Sequence, residues 1–200
     1  MVLDYPAYTK KKDEVLKSTG NSTIPEGTNV TWKVTTKSTD EVVFYSKDTI
    51  AFKPISEGKF EASKRMYSNT DYSISTSNAA LKDYENLAFS INVIKDNYPE
   101  MNVKMEIDSL DKQSLYFLGQ VSDDYGLRKL QMVYYPSKNP QDKSYEVMNV
   151  SKSNFDEFVS AFPNQLNLEE GIDYELYFQV FDNDVLHKYK SSKSSVFSYR

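Results

Sequence analysis

The sequence predicts an all-β protein of two tandem immunoglobulin-like β-sandwich domains, residues 1–96 and 97–200, joined by a short linker. Three observations favour this fold. Apolar residues alternate with polar ones along most of the chain, which is typical of strands with one buried face. Clusters of Ser, Thr, Asn, Asp and Gly separate the alternating runs, as turns do. Each half holds about six or seven such runs in about 100 residues, the size of an immunoglobulin-like domain.

The strands of the first half are predicted from runs with a period of two. In "NVTWKVTT", Val30, Trp32 and Val34 fall on one face, and we expect Trp32 to be buried between two sheets. The other strand candidates are "EVVFYS", "DTIAFKP", "KFEASKRMY", "DYSISTS" and "NLAFSINVI". Near the start of the chain, "KKDEVLKS" is a candidate for a short helix.

The second half repeats this pattern. Its strand candidates are "NVKMEI", "SLYFLGQVS", "KLQMVYYP", "SYEVMNV", "YELYFQVFD" and "SSVFSY". The stretch "SNFDEFVSAF" is a second helix candidate, which Ser153 or Asn154 would cap. The triplets "DYP" at 4–6 and "NYP" at 97–99 lie one domain length apart, which supports the division, and each Pro is expected at the start of a first strand.

The composition excludes several classes of function. The chain has no Cys, which removes disulfides, thiol nucleophiles and zinc–thiolate sites. The net charge of −5 lies entirely in residues 97–200, which argues against binding to nucleic acid or to anionic lipid. His187 is the only His and lies in a loop rich in Asp and Lys, and the chain has no nucleophile-elbow or phosphate-loop motif. We therefore expect no enzymatic activity, no catalytic residues and no cofactor.

An acidic pole is predicted at one end of the second domain. The motif "VSDDYGL" would form the loop between its second and third strands, and "FDNDVLHKYKS" the loop between its sixth and seventh. In an immunoglobulin-like sandwich these loops lie at the same end as the start of the first strand. The residues expected to gather there are Asp96, Asn97, Glu100, Asp123, Asp124, Asp182 and Asp184.

Two interpretations of the acidic pole remain open. In the first, its residues form turns, because Asp and Asn accept hydrogen bonds from backbone N–H groups two residues on. Gly126 would then supply a positive φ, and Lys188, Lys190 or Arg128 would neutralise the carboxylates. In the second, the oxygens bind Ca²⁺, and the linker "KDNYPE" resembles in part the acidic linkers of cadherin repeats. No residue is assigned as a metal ligand.

The many tyrosines raise a second function class, a carbohydrate-binding module. Aromatic side chains with one polar end can stack on sugars, but they also pack well in strands. Many of them fall in strand candidates, and six of these in the second half are expected to pack in the core or on a sheet face: Tyr116, Tyr134, Tyr135, Tyr145, Tyr174 and Tyr177.

Five stretches carry a resemblance to a known family. They are "DYPAYT", "PEGTNVTW", "DNYPEM", "VSDDYGL" and "FDNDVLHKYKSSKS". The chain resembles the extracytoplasmic repeats of a large bacterial membrane-anchored family of unknown function. In that family, amino-terminal transmembrane helices precede tandem immunoglobulin-like domains and a long helical region. The resemblance implies a position on the periplasmic side of a bacterial membrane, as a fragment of a larger protein, and it transfers no site residues.

The expected function is a non-enzymatic interaction or spacer module of a membrane-anchored protein. Its partner is an unknown protein or glycan, and it meets the membrane only through segments absent from this chain. The alternatives are a carbohydrate-binding module and a calcium-stiffened, adhesion-type repeat.

Overall fold

The computed structural model describes residues 1–107 and 114–200, and the chain divides into two compact units, Met1–Lys95 and Asp96–Arg200. Asp96, assigned by sequence to the first domain, is therefore the first residue of the second unit. Each unit is a β-sandwich of two sheets, so the predicted all-β fold is confirmed. In the described ranges the only helical elements are two 3₁₀ turns, Ala7–Thr9 and Val185–His187, and neither could cross a membrane.

The first unit contains ten strands, which are divided equally between its two sheets. They are β1 (Val2–Asp4), β2 (Glu14–Val15), β3 (Ser22–Pro25), β4 (Asn29–Thr35), β5 (Glu41–Tyr45), β6 (Thr49–Ala51), β7 (Lys53–Ser56), β8 (Lys59–Arg65), β9 (Thr70–Ser77) and β10 (Glu85–Ile94).

The strand order of the first unit is that of an immunoglobulin-like sandwich. One sheet has the order β2-β1-β4-β8-β7 and the other the order β3-β10-β9-β5-β6. The strands β1, β4, β8 and β7 thus follow the A-B-E-D order, and β10, β9, β5 and β6 follow the G-F-C-C′ order. The strand β3 pairs with β10 in parallel, whereas the other pairs are antiparallel.

Trp32 lies at the centre of the first core, as the alternation in β4 predicts. It is 3% exposed, and its ring centroid lies 5.0 Å from that of Phe44 and 5.5 Å from that of Tyr72. Its Nε1–H donates to the Tyr72 hydroxyl over 2.8 Å, and that hydroxyl donates to the Gly20 carbonyl. Every polar atom of this pair is therefore satisfied inside an apolar core.

The second unit contains eight described strands. They are β11 (Glu100–Ile107), β12 (Leu115–Ser122), β13 (Leu127–Pro136), β14 (Ser144–Met148), β15 (Phe155–Phe162), β16 (Tyr174–Asp182), β17 (Ser191–Lys193) and β18 (Phe197–Tyr199). One sheet has the order β11-β12-β15. The other has the order β14-β13-β16-β17, and β18 also pairs with β16.

The core of the second unit is aromatic. The ring of Phe178 in β16 lies 5.1 Å from Phe117 and 5.0 Å from Phe158, measured between centroids. Gly119 faces Phe158 across the β12–β15 pair, and a Cβ at Gly119 would lie 2.1 Å from that ring. A residue without a side chain is therefore required at this point of β12.

Both helix predictions are wrong. In "KKDEVLKS", Glu14–Val15 form the short edge strand β2. In "SNFDEFVSAF", residues Phe155–Phe162 form β15, where Phe158 and Phe162 are buried and the residues between them are more exposed. In both segments, pairing with a neighbouring strand overrides the helical pattern of a short stretch.

The "DYP" and "NYP" triplets are also not equivalent, because Pro6 follows β1 whereas Pro99 precedes β11.

Tyr72→Phe is expected to destabilise the first unit by about 1–3 kcal/mol, because it leaves the buried Trp32 N–H without a partner. Burial raises the pKa of Tyr72 to about 12. Below about pH 10 the phenol is neutral in both the folded and the unfolded state. Between pH 10 and 12 the unfolded state ionises first, so stability falls as pH rises.

The measurement is denaturant unfolding followed by the fluorescence of Trp32, the only Trp in the chain. The stability difference between the natural chain and Tyr72→Phe should shrink between pH 10 and 12. Tyr67→Phe, at an exposed position, is the matched control and should change neither the stability nor its dependence on pH. An unchanged difference across this pH range would contradict the buried neutral phenol.

Candidate functional site

The loop between β12 and β13 is shaped by Asp123. One carboxylate oxygen, Oδ2, accepts from the backbone N–H of Tyr125 over 2.9 Å and of Gly126 over 2.7 Å. Gly126 has a φ of 137°, a value that side chains disfavour and glycine permits. Asp123 is therefore a turn former, and it points its second oxygen into the unit.

The loop between β16 and β17 is built by the same device. The Asp182 Oδ1 accepts from the N–H of Asp184 over 3.1 Å, and the Asp184 Oδ1 accepts from the N–H of Leu186 over 2.9 Å. The second bond caps the 3₁₀ turn Val185–His187. Between the two aspartates, Asn183 donates its side-chain N–H to the Tyr125 carbonyl over 3.1 Å, which ties this loop to the first one.

The ammonium group of Lys190 lies at the centre of the pole. Its Nζ contacts Asp96, reaches Asp184 Oδ2 at 2.7 Å and reaches Asp182 Oδ2 at 3.0 Å. The lysine side chain is 8% exposed, and the three carboxylate side chains are fully buried. We call these four residues the lysine cluster. One cation, at the end of the β16–β17 loop, thus contacts the first residue of the unit and the start of that loop.

The lysine cluster shifts the pKa values of its members in opposite directions. Burial alone would lower the pKa of Lys190, but its hydrogen bonds to Asp184, Asp96 and Asp182 raise it. Burial alone would raise the pKa of Asp184, but the hydrogen bonds from Lys190 and His187 hold this pKa below its usual value. Lys190 and Asp184 therefore stay charged at neutral pH.

A second group of carboxylates, Asp96, Asp123 and Asp124, adjoins the lysine cluster, and we call it the acidic triad. Burial, together with a hydrogen bond to the Asp124 carboxyl, raises the pKa of Asp96 to about 8 despite the contact with Lys190. Burial also raises the pKa of Asp123. Asp124 is exposed, and its Oδ2 accepts from the side-chain N–H of Asn97 over 3.2 Å. Both buried carboxyl groups of the triad are therefore harder to ionise than a carboxyl group in water.

The structure brings most of the predicted pole together. Asp96 belongs to both groups, Asp182 and Asp184 belong to the lysine cluster, and Asp123 and Asp124 belong to the acidic triad. Asn97 joins through its bond to Asp124. Glu100 is the exception, because it lies exposed in β11 opposite Ser122 and is in neither group.

Other residues near the pole were not singled out by sequence. The sequence named Lys190 only as one of three cations that could neutralise the pole, and it gave no role to Asn183. Arg128 instead stacks on the Tyr189 ring, with its guanidinium carbon 3.7 Å from the centroid. The imidazole Nδ1 of His187 contacts the Asp184 carboxylate. The sequence offered one signal for these contacts, the "DND" run that a Lys follows.

The predicted tyrosines divide between core and surface. Tyr135, Tyr174 and Tyr177 are buried and Tyr134 is half-buried, as expected for strand packing. Tyr116 is 41% and Tyr145 is 58% exposed.

Comparison with known proteins gives the family. The family described as "Domain of unknown function (DUF4175)" matches residues 3–163. The chain belongs to this family. The resemblance found in the sequence is confirmed as far as a family of unknown function, whereas membrane anchoring and location stay predictions. No curated protein matches the chain.

Three solved structures are similar at a TM-score of 0.29. The human OSCAR ligand-binding domain has 13% identity and covers 88% of this chain and 92% of its own. The fibronectin(III)-like modules of Clostridium thermocellum CbhA have 14% identity, with 91% and 88% covered. A DUF3823 family protein from Parabacteroides merdae has 10% identity, with 88% and 99% covered. The fold assignment rests on the strand orders of the two units.

Lys190→Met is expected to destabilise the second unit by about 3–5 kcal/mol, because it leaves three buried carboxylates without their cation while most of the side-chain volume remains. Denaturant unfolding followed by far-UV circular dichroism measures the loss. The Trp32 fluorescence transition, which reports the first unit, should not move.

Lys188→Met is the matched control, since it removes the same charge from an exposed side chain two residues away. It should change stability by less than about 0.5 kcal/mol. Equal effects of the two substitutions would show that net charge, rather than the buried contacts of Lys190, stabilises the unit.

Proposed function

We propose that this chain is a non-enzymatic interaction or spacer segment of an extracytoplasmic, membrane-anchored protein. It supplies two folded sandwiches, and its charged residues serve to hold them folded. The partner is a protein on the same side of the membrane.

The observation that best supports this proposal is that the ammonium group of Lys190 is occupied by contacts with three carboxylates. The three carboxylates around its ammonium group are fully buried, and together they fix the loops between strands. A lysine that acts as a base or a nucleophile needs a lowered pKa. The pKa of Lys190 is raised instead, which suits a structural ion pair.

His187 supports the same conclusion. In a Ser-His-Asp triad, the carboxylate serves to orient and stabilise the imidazole. Here Asp184 contacts Nδ1 of His187 but also binds Lys190 and caps the Val185–His187 turn. The carboxylate is therefore shared among structural contacts rather than dedicated to the imidazole.

The resemblance of the motifs, rather than family membership, supports the proposed location. The chain belongs to a family of unknown function over residues 3–163, and the resemblance of its motifs to membrane-anchored extracytoplasmic repeats implies the periplasmic side. Tandem sandwiches are common in cell-surface proteins, where they present loops or set distances. Fold alone does not establish function, so location and ligand need separate tests.

Location is tested by protease accessibility in cells that make the full-length protein. An antibody against this chain should detect it intact in whole cells. After the outer membrane alone is permeabilised, added protease should remove the signal, while a cytoplasmic marker protein stays intact. Digestion only after the inner membrane is broken would overturn the periplasmic proposal.

The carbohydrate alternative is tested by applying the purified 200-residue chain to a glycan array. We expect no binding to any sugar class. Tyr84 and Tyr145, which are 70% and 58% exposed, are the residues to replace if binding occurs. Binding to one sugar class that Tyr84→Ala or Tyr145→Ala abolishes, while Tyr67→Ala preserves it, would replace the protein partner with a glycan.

A further inference from the structure

We propose that the acidic triad of the second unit, Asp96, Asp123 and Asp124, binds a Ca²⁺ ion. This inference goes beyond the spacer role, because it adds a ligand on which the stability of the unit would depend. It concerns residues of the second unit alone.

The geometry of the triad suits one ion. Each of the three residues offers a carboxylate oxygen, and these oxygens all lie within 4.8 Å of one another. Oxygen ligands lie about 2.3–2.6 Å from Ca²⁺, so two ligands on opposite sides of one ion are about 4.8 Å apart. The spacing of the three oxygens is therefore compatible with a single shared ion.

Two buried oxygens point to a missing partner. Asp96 and Asp123 are 8% and 7% exposed, and their Oδ1 atoms meet no hydrogen-bond donor among the described residues. The second oxygen of each residue is used, by Lys190 and by the Asp123 turn respectively. A buried carboxylate oxygen without a partner is costly, and a cation at this point would remove that cost.

The contact between Asp96 and Asp124 needs an explanation of its own. Their carboxyl groups lie within hydrogen-bonding range of each other, and neither brings an N–H or O–H donor when ionised. A cation between them would remove the repulsion between the two charged groups, whose oxygens lie within 4.8 Å of each other. A proton would satisfy these two residues but would leave the Asp123 Oδ1 without a partner, whereas an ion satisfies all three.

The charge balance also favours a divalent cation. Five carboxylates meet at this end of the unit: Asp96, Asp123, Asp124, Asp182 and Asp184. Lys190 contacts three of them, and His187 contacts Asp184. Lys190 thus serves the lysine cluster, and Asp123 and Asp124 have no ion pair with a basic side chain in the described residues.

The chemistry of the ligands selects Ca²⁺ among divalent ions. The triad offers only oxygen, which hard cations prefer, and it contains neither His nor Cys for Zn²⁺. Ca²⁺ accepts six to eight oxygens in irregular arrangements, whereas Mg²⁺ requires nearly ideal octahedral geometry. Asp124 is exposed, so water can complete the coordination from the solvent side.

The test is thermal unfolding of the full chain after dialysis against chelator, followed by addition of CaCl₂ up to about 10 mM, a range that covers extracellular calcium modules. The midpoint temperature for unfolding of the second unit should rise by about 10 °C when the Ca²⁺ concentration exceeds the Kd a hundredfold. Isothermal titration calorimetry should show one site per chain. The Trp32 transition of the first unit should not move.

The variants separate the triad from general screening of charge. Asp123→Asn keeps an acceptor for the turn, and Asp124→Asn changes an exposed residue, so both should fold. Each substitution should weaken the apparent affinity for Ca²⁺ at least tenfold, as measured from the concentration at which the transition temperature rises. Asp142→Asn, an exposed position in the same unit, is the matched control and should keep the full rise.

Three results would overturn the proposal. The first is no change of the transition with Ca²⁺, which would leave a shared proton between Asp96 and Asp124. The second is an equal rise in the Asp123→Asn and Asp124→Asn variants. The third is an equal or larger effect of MgCl₂ at the same concentration, which would remove the assignment to Ca²⁺.

Discussion

The loops of the second unit depend on one buried ammonium group. Three carboxylates enclosed in a sandwich would repel one another and lose their hydration, and such groups persist only when a counter-ion and hydrogen bonds compensate. Lys190 provides the counter-ion, and backbone N–H groups provide the hydrogen bonds to Asp182 and Asp184. The position of Asp96 at the start of the unit follows from the same contact.

The first unit satisfies its buried polar groups in a different way. Its central polar contact is neutral and runs from the Trp32 N–H through the Tyr72 hydroxyl to the Gly20 carbonyl. This pair is satisfied inside the apolar core of the first unit, whereas in the second unit the Oδ1 atoms of Asp96 and Asp123 meet no donor among the described residues. The difference is that the ionic solution places further carboxyl groups, Asp123 and Asp124, beside the lysine cluster.

Strands with one buried face, such as β4, β8 and β12, were predictable because a period of two is visible without knowledge of the partner strand. The short strands β3 and β17 were not predicted. The meeting of the two acidic loops was also predictable, because the topology of the sandwich places them at one end. The segment that became β15 was not. Its apolar residues Phe155, Phe158 and Phe162 fit a helical spacing, and only the pairing with β12 decides between strand and helix.

Side-chain detail was the least predictable part of the site. Lys188, Lys190 and Arg128 are equivalent by charge, and only the geometry of the β16–β17 loop turns Lys190 inward while Lys188 stays exposed. Glu100 was expected in the pole because it is close in sequence, but it is already within β11, where its side chain is exposed. Strand periodicity also does not show which face of a sheet is covered. The sequence therefore could not predict that Tyr135 is buried and Tyr145 is exposed.

The central claim is that Lys190 stabilises the second unit through direct contact with buried carboxylates. A double-mutant cycle with Lys190→Met and Asp184→Asn tests it most directly, with the free energy of unfolding of the second unit as the measured quantity. The nitrogen and oxygen of this pair lie 2.7 Å apart. The account predicts a coupling energy of at least about 2 kcal/mol. A coupling below about 0.5 kcal/mol would contradict it, because the two side chains would then contribute independently.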